Sequence, residues 1–265
     1  MGEEPTSRGL LAGRRALVMG VANKRSLAWG IAQALVREGA ELALTYRRER
    51  VRDHVAQWVA EWPSPPLLLP CDVMQDDSVA RLGESLARAW GGVDAVVHSI
   101  AHAQPGDLAG RFLDTSRQGW QIATETSAYS LALVARACLP LWQARGGGSL
   151  LAMSYLGAER VVPNYNVMGV AKAALESSVR YLASDLGESQ VRVNAISAGP
   201  VKTLAASGVS GFSSLLSQIA ERAPLRSNIT LDDVGNAAVF LSSDWARHIT
   251  GQVLFVDAGY HVTGV

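Results

Sequence analysis

Short apolar runs alternate with longer stretches of helical periodicity through most of the chain. Residues 14–20 (RRALVMG) form a compact apolar run that closes on glycine. Residues 27–38 (LAWGIAQALVRE) follow with apolar positions at three- and four-residue intervals and stop at Gly39. That order predicts a strand, a loop and a helix. A second strand is expected over residues 41–46 and a third over 67–73, after the breaker WPSPP. The pattern continues with a strand at 93–100, a helix at 130–143, a strand at 148–153, a long helix starting near Asn166 and a strand at 191–197. Residues 203–226, with Gly208, Gly211 and Pro224 among Leu and Ile, read as a mobile helical segment: a lid over a ligand or an inert excursion. Thr230-Leu-Asp-Asp233 resembles a capping box that opens the last helix, and 252–257 gives the last strand.

Strand-helix alternation of this kind predicts an α/β fold: a doubly wound Rossmann sheet of seven parallel strands with helices on both faces. Its ligand crevice lies at the carboxyl ends of the strands. With 265 residues, 48% apolar, and no internal repeat, the chain is expected to form a single domain over 1–265. The 24 basic residues balance 24 acidic ones, so no global field draws the chain to nucleic acid or an anionic membrane. Cys71 and Cys138 lie far apart and outside any metal-binding spacing, and read as reduced core thiols. His98 and His102 would stand about 13 Å apart on an extended segment, so no metal site is expected. The first residues have no apolar signal-type core and no run of about 18 apolar residues occurs, which makes a soluble cytoplasmic protein the expectation.

Candidate chemistry concentrates in residues 154–180 (SYLGAERVVPNYNVMGVAKAALESSVR). Tyr165 and Lys172 are seven residues apart, which on a helix returns to nearly the same azimuth, roughly 10 Å along the axis. Both side chains can face one cleft. A phenol titrates near pH 10, about its model value, and Lys172 is the candidate cation to bring it down. The plain alternative is that Tyr165 packs and Lys172 snorkels. Glu176 and Arg180, spaced i,i+4, are expected on the wetter side of the helix.

At the first strand-to-helix turn, Gly20 ends the strand without a Cβ and Ser26 offers a cap to a helix whose free N–H groups suit a pyrophosphate. Gly30 is read as allowing close packing of that helix on the sheet. A structural turn would explain Gly20 equally. At the end of the second strand, where an acidic residue commonly reads a ribose 2′-hydroxyl, the chain has Thr45-Tyr46-Arg47-Arg48. This predicts acceptance of NADPH and a preference for it over NADH, unless the arginines are merely solvated.

These residues resemble the divergent branch of the short-chain dehydrogenase/reductase superfamily that contains the bacterial NAD(P)H-dependent enoyl-[acyl-carrier-protein] reductases. The usual Tyr-x3-Lys is missing: Glu159 follows Tyr155 by four and Gly169 follows Tyr165 by four. Tyr-x6-Lys from Tyr165 to Lys172, with Tyr155 ten residues earlier, is similar to the enoyl reductase signature. Beside Arg47, read from the end of the second strand, the resemblance implies a cofactor site of Gly20, Ser26, Leu27, Asp72, Val73, Ser99, Ile100, Lys172, Val201, Thr203, Leu204 and Ala205. It implies Tyr155, Tyr165 and Lys172 as catalytic residues. It further implies an acyl site of Ala103, Tyr155, Tyr165, Met168 and Phe212, a lid near 203–226, an acyl carrier protein as partner, and a homotetramer. Two departures bear on specificity: Ala101-His102 where the family commonly has Gly-Phe, and the absence of basic residues beside Phe212. Carrier docking would then fall to Lys202, Arg222 or Arg226. The rival readings are a 3-oxoacyl or carbonyl reductase, and a cofactor-binding regulator without catalysis.

Overall fold

The computed structural model describes residues 9–201 and 212–263. Seven strands form one sheet: β1 (Arg15–Met19), β2 (Glu41–Tyr46), β3 (Leu67–Pro70), β4 (Ala95–His98), β5 (Gly148–Ser154), β6 (Val191–Ala198) and β7 (Val253–Val256). Their order is β3-β2-β1-β4-β5-β6-β7, and every pairing is parallel. The winding reverses between β1 and β4, which is where a doubly wound sheet opens its ligand crevice. The helices are α1 (Leu27–Arg37), α2 (Glu49–Trp58), α3 (Asp76–Trp90), α4 (Pro105–Leu108), α5 (Arg117–Thr124), α6 (Ser130–Gln143), α7 (Asn166–Leu186), α8 (Phe212–Arg222) and α9 (Leu231–Ser242).

The strands read as continuous apolar runs because both faces are covered. Leu17, Met19, Val96, Leu150, Ala152, Val193 and Ala195 point to one core with α3, α6 and α7. Their neighbours Ala16, Val18, Ala95, Val97, Leu151, Met153 and Ile196 point to the other, with α1, α2 and α9. Cys71 and Cys138 are buried, free thiols, as the sequence implies, and burial raises both to about 12. No described helix is long and apolar enough to cross a membrane.

Gly30 does not serve helix-to-sheet packing. A Cβ there would meet Leu231 Cβ at 2.7 Å, and one at Gly235 would meet Ala34 Cβ at 2.7 Å, so the two glycines bring α1 against α9. The capping box is present: Thr230 accepts from the Asp233 N–H, and the Asp233 carboxylate accepts from the Thr230 N–H at 2.7 Å.

Candidate active site

The crevice begins at Gly20, just past β1. Its φ is 96°, and a Cβ would lie 2.0 Å from the Ser99 carbonyl oxygen just past β4, so only glycine lets the two strand ends approach this closely. Ser26 caps α1: its hydroxyl donates to the Asn23 carbonyl at 2.7 Å and accepts from the Trp29 N–H at 3.3 Å. The other N–H groups of the first turn, starting at half-buried Leu27, retain their capacity for an anion. A cradle that a Cβ would fill, beside a capped helix start, fits a dinucleotide pyrophosphate. Ser99 donates its N–H to Met19, and Ile100 packs on the core under the same rim.

Arg47 and Asp72 meet at the ends of β2 and β3, with Arg47 Nε donating to the Asp72 carboxylate at 2.9 Å. Asp72 also accepts from the Met74 N–H, and its own N–H donates to Ser78. Val73 is buried beside it. Arg48 is exposed and precedes α2.

Tyr155 and Tyr165 stand edge to face with ring centroids 4.9 Å apart. Tyr155 follows β5, and Tyr165 is the N-cap of α7 between Asn164 and Asn166, which have φ of 60° and 25°. Positive-φ residues on either side of Tyr165 aim its ring, and asparagine is a residue type that tolerates that conformation. Asn166 further ties this corner to the Gly110 carbonyl at 3.2 Å. Glycines clear the space: a Cβ at Gly157 would sit 2.4 Å from the Tyr165 ring, and one at Gly169 would sit 2.7 Å from the Gly157 oxygen.

Burial and then the Tyr155 phenol push the Tyr165 hydroxyl well above its ordinary value, and burial with Tyr260 pushes Tyr155 up to about 12. The expected lowering of Tyr165 by Lys172 is therefore not found. The Lys172 ammonium is buried and donates to the Met153 carbonyl at 2.6 Å, and burial pulls it down to about 8 against the opposing pull of Glu176. Glu176 corrects a second expectation. It is buried, not wet, and its carboxylate accepts a hydrogen bond from the Ser154 hydroxyl.

His98, at the end of β4, is fully buried and held to about 3 by burial and then by the Lys172 charge. Ser130 spends its hydrogen on the Thr126 carbonyl at 2.7 Å, so it accepts from His98 Nε2–H at 2.7 Å. His98 is neutral, and its Nδ1 has no partner among the described residues. Thr126 lies in a π-helical turn, Glu125–Tyr129, between α5 and α6. Such turns break the regular ladder and recur at functional sites.

Ala103 and Met168 share an apolar cluster with Ala123, Val167, Ala171, Leu108 and Tyr165, which brings three of the residues expected at the acyl site together. Ala101 and His102 are exposed, with the His102 N–H donated to Ser127. Val201 is half-buried where β6 leaves the sheet. Lys202 and the start of the expected lid, with Thr203, Leu204 and Ala205, lie outside the described residues, as does the side chain of Phe212. Among the described residues no group of three or more His, Cys, Asp or Glu could hold a metal ion. Sequence reasoning missed Asn164, Asn166, Gly157, Gly169, Ser130 and the π turn. The Asn-Tyr-Asn triplet was a usable signal for a forced turn; the contacts of Ser130 had none.

Residues 20–261 match the family described as Enoyl-(Acyl carrier protein) reductase. The chain is 51% identical over 257 residues to the enoyl-[acyl-carrier-protein] reductase [NADH] FabI of Aquifex aeolicus, covering 97% of this chain and 94% of the relative. It is 46% identical over 258 residues to that of Escherichia coli, covering 97% of each. A solved Bacillus cereus enoyl-acyl carrier protein reductase, in complex with NADP+ and indole naphthyridinone, superposes with a TM-score of 0.95 at 50% identity, covering 97% of this chain and all of that one. With the fold, the crevice and the Tyr-x6-Lys helix all in place, the chain belongs to the enoyl-(acyl carrier protein) reductase family.

Proposed function

We propose that the chain reduces the trans-2 double bond of enoyl thioesters carried by acyl carrier protein in fatty-acid synthesis. The observation that carries this is the Tyr155–Tyr165 pair at the mouth of a dinucleotide crevice, one face of α7 below it holding Lys172. Gly20, Ser26, Leu27, Asp72, Val73, Ser99, Ile100, Val201 and Lys172 would hold a nicotinamide dinucleotide, with Thr203, Leu204 and Ala205 completing the site. When bound, it supplies the hydride equivalent for the β-carbon. Tyr165 keeps its proton at neutral pH because burial raises it, so it meets the thioester oxygen as a donor. That hydrogen bond strengthens as the oxygen gains enolate charge, which lowers the barrier rather than merely binding substrate. Tyr155 packs against it and lines the acyl site with Ala103 and Met168. Lys172 holds ribose hydroxyls and keeps positive potential under the crevice.

Both NADH and NADPH are accepted in this reading. The Arg47 Nε is committed to Asp72, so any preference for NADPH rests on Arg48 and the outer guanidinium of Arg47. Asp72→Asn, which frees Arg47, should raise the NADPH-to-NADH ratio of kcat/KM, and an unchanged ratio would remove Arg47 from cofactor choice. Carrier docking is assigned to exposed Arg222 and Arg226, the reaction to the cytoplasm, and the assembly to a homotetramer. Exposed Tyr181 (74%) and Trp245 (71%) are apolar surface suited to such an assembly.

Cofactor absorbance, followed with a 2-enoyl or a 3-oxoacyl thioester, tests the reaction. Oxidation with the enoyl substrate alone is expected. Oxidation with the 3-oxoacyl substrate alone would favour the carbonyl reductase, and cofactor binding without turnover would favour the regulator.

A further inference from the structure

The end of β5 addresses α7 through two adjacent residues. The Met153 carbonyl accepts from Lys172 Nζ, and the next residue, Ser154, donates its hydroxyl to Glu176. Lys172 and Glu176 are one helical turn apart, and each is 5% exposed; Ser154 is 4% exposed. A carboxylate buried this deeply is unfavourable without compensation. Here compensation comes first from the Ser154 hydroxyl and then from the Arg180 and Lys172 charges, and burial still leaves the Glu176 carboxyl above its ordinary value; the burial of Lys172 is in turn opposed by that carboxylate.

We propose that Glu176, pinned by Ser154, is a positioning residue that keeps Lys172 charged where the Met153 carbonyl holds it, at the strand end beneath the Tyr155–Tyr165 pair. This rests on the reductase reading only for its catalytic consequence. The groups facing Lys172 are His98 from β4, the Met153 carbonyl from β5 and Glu176 from its own helix. Those facing Glu176 are Ser154 from β5, Glu159 from the segment after it, and Arg180 and Lys172 from α7. His98 is neutral above about pH 3, so it does not compete for the lysine charge near neutrality. Glu176 supplies the negative charge that faces it from within the helix.

The chain has three lysines, at 24, 172 and 202, so a protein labelled with 13C at lysine Cε gives a simple NMR spectrum. Lys172→Met identifies the signal of interest. In cofactor-free wild type that signal is expected to titrate near pH 8, pulled down by burial. In Glu176→Gln the midpoint falls by roughly one pH unit, the order expected for losing a near opposite charge. Glu176→Asp, which keeps the charge one methylene further back, falls between them. In steady-state kinetics the alkaline limb of kcat/KM for cofactor moves down with the NMR midpoint, which a purely structural defect would not produce. A Lys172 midpoint unchanged in folded Glu176→Gln overturns the assignment. If that variant does not fold, Ser154→Ala carries the test: a lowered midpoint supports the assignment and an unchanged one overturns it. Moved midpoints in a protein that reduces no enoyl thioester would overturn the reductase reading and leave Glu176 in its role.

Discussion

Tyr165 is aimed by its neighbours more than by its own helix. Asn164 and Asn166 bend the backbone on either side, Gly157 leaves room for the ring, and Tyr155 meets its edge. Tyr165→Phe removes only the hydroxyl, so turnover should fall by about 10²–10³-fold, the usual loss for one donor to a developing oxyanion. The cofactor dissociation constant should stay put, and full retention of kcat would remove Tyr165 from the chemistry. Gly157→Ala places a methyl 2.4 Å from the ring carbon and displaces the phenol with its donor intact. A misplacement of this kind costs up to about 10²-fold in kcat. Kinetics beside a thermal melt would separate that from unfolding: a large fall in kcat with a nearly unchanged Tm is the expected pattern.

At the scale of elements, the capped start of α1 links stability to binding. Ser26→Ala removes an N-cap and should cost about 1 kcal/mol of unfolding free energy, measurable by denaturant titration. It should also weaken cofactor binding, since the same turn faces the crevice. A loss of stability without weaker binding would take α1 out of the dinucleotide site. The same scale shows what the sequence makes legible. Residues 41–46 and 130–143 coincide with β2 and α6 because their apolar patterns are bounded by clear breakers. α2 and α3 are less legible, as α2 buries only Val55 and both are rich in charge. Glu176 is the instructive error at this scale: a helical charge four residues from an arginine reads as solvated, and nothing in the sequence pairs it with Ser154 across twenty-two residues.

Across the whole molecule, the sheet order places the ends of β1, β4 and β5 side by side, and this brings Gly20, Ser99, His98 and Lys172 to one crevice. The motif was legible because its spacing is set by one helix; the electrostatics were not, because burial comes from elements distant in sequence. His98 carries this to stability. Its folded value is about 3 against about 6.5 when unfolded, so the unfolded chain binds more protons as pH falls below 6.5. The stabilisation is complete above 6.5 and is lost toward pH 3, with a slope approaching about 1.4 kcal/mol per pH unit from this group. Unfolding free energies measured across that window should show a shallower dependence in His98→Gln, and an equal slope would mean that another group takes up the proton.

The most direct test of the central claim is the fate of the reducing hydrogen. The protein would be given a crotonyl thioester and nicotinamide cofactor deuterated at the transferred C4 position, and the acyl product read by mass spectrometry and NMR. The account predicts deuterium at the β-carbon and a solvent-derived proton at the α-carbon. Label at the α-carbon, or transfer to the carbonyl carbon of a 3-oxoacyl thioester with the enoyl thioester untouched, would contradict it.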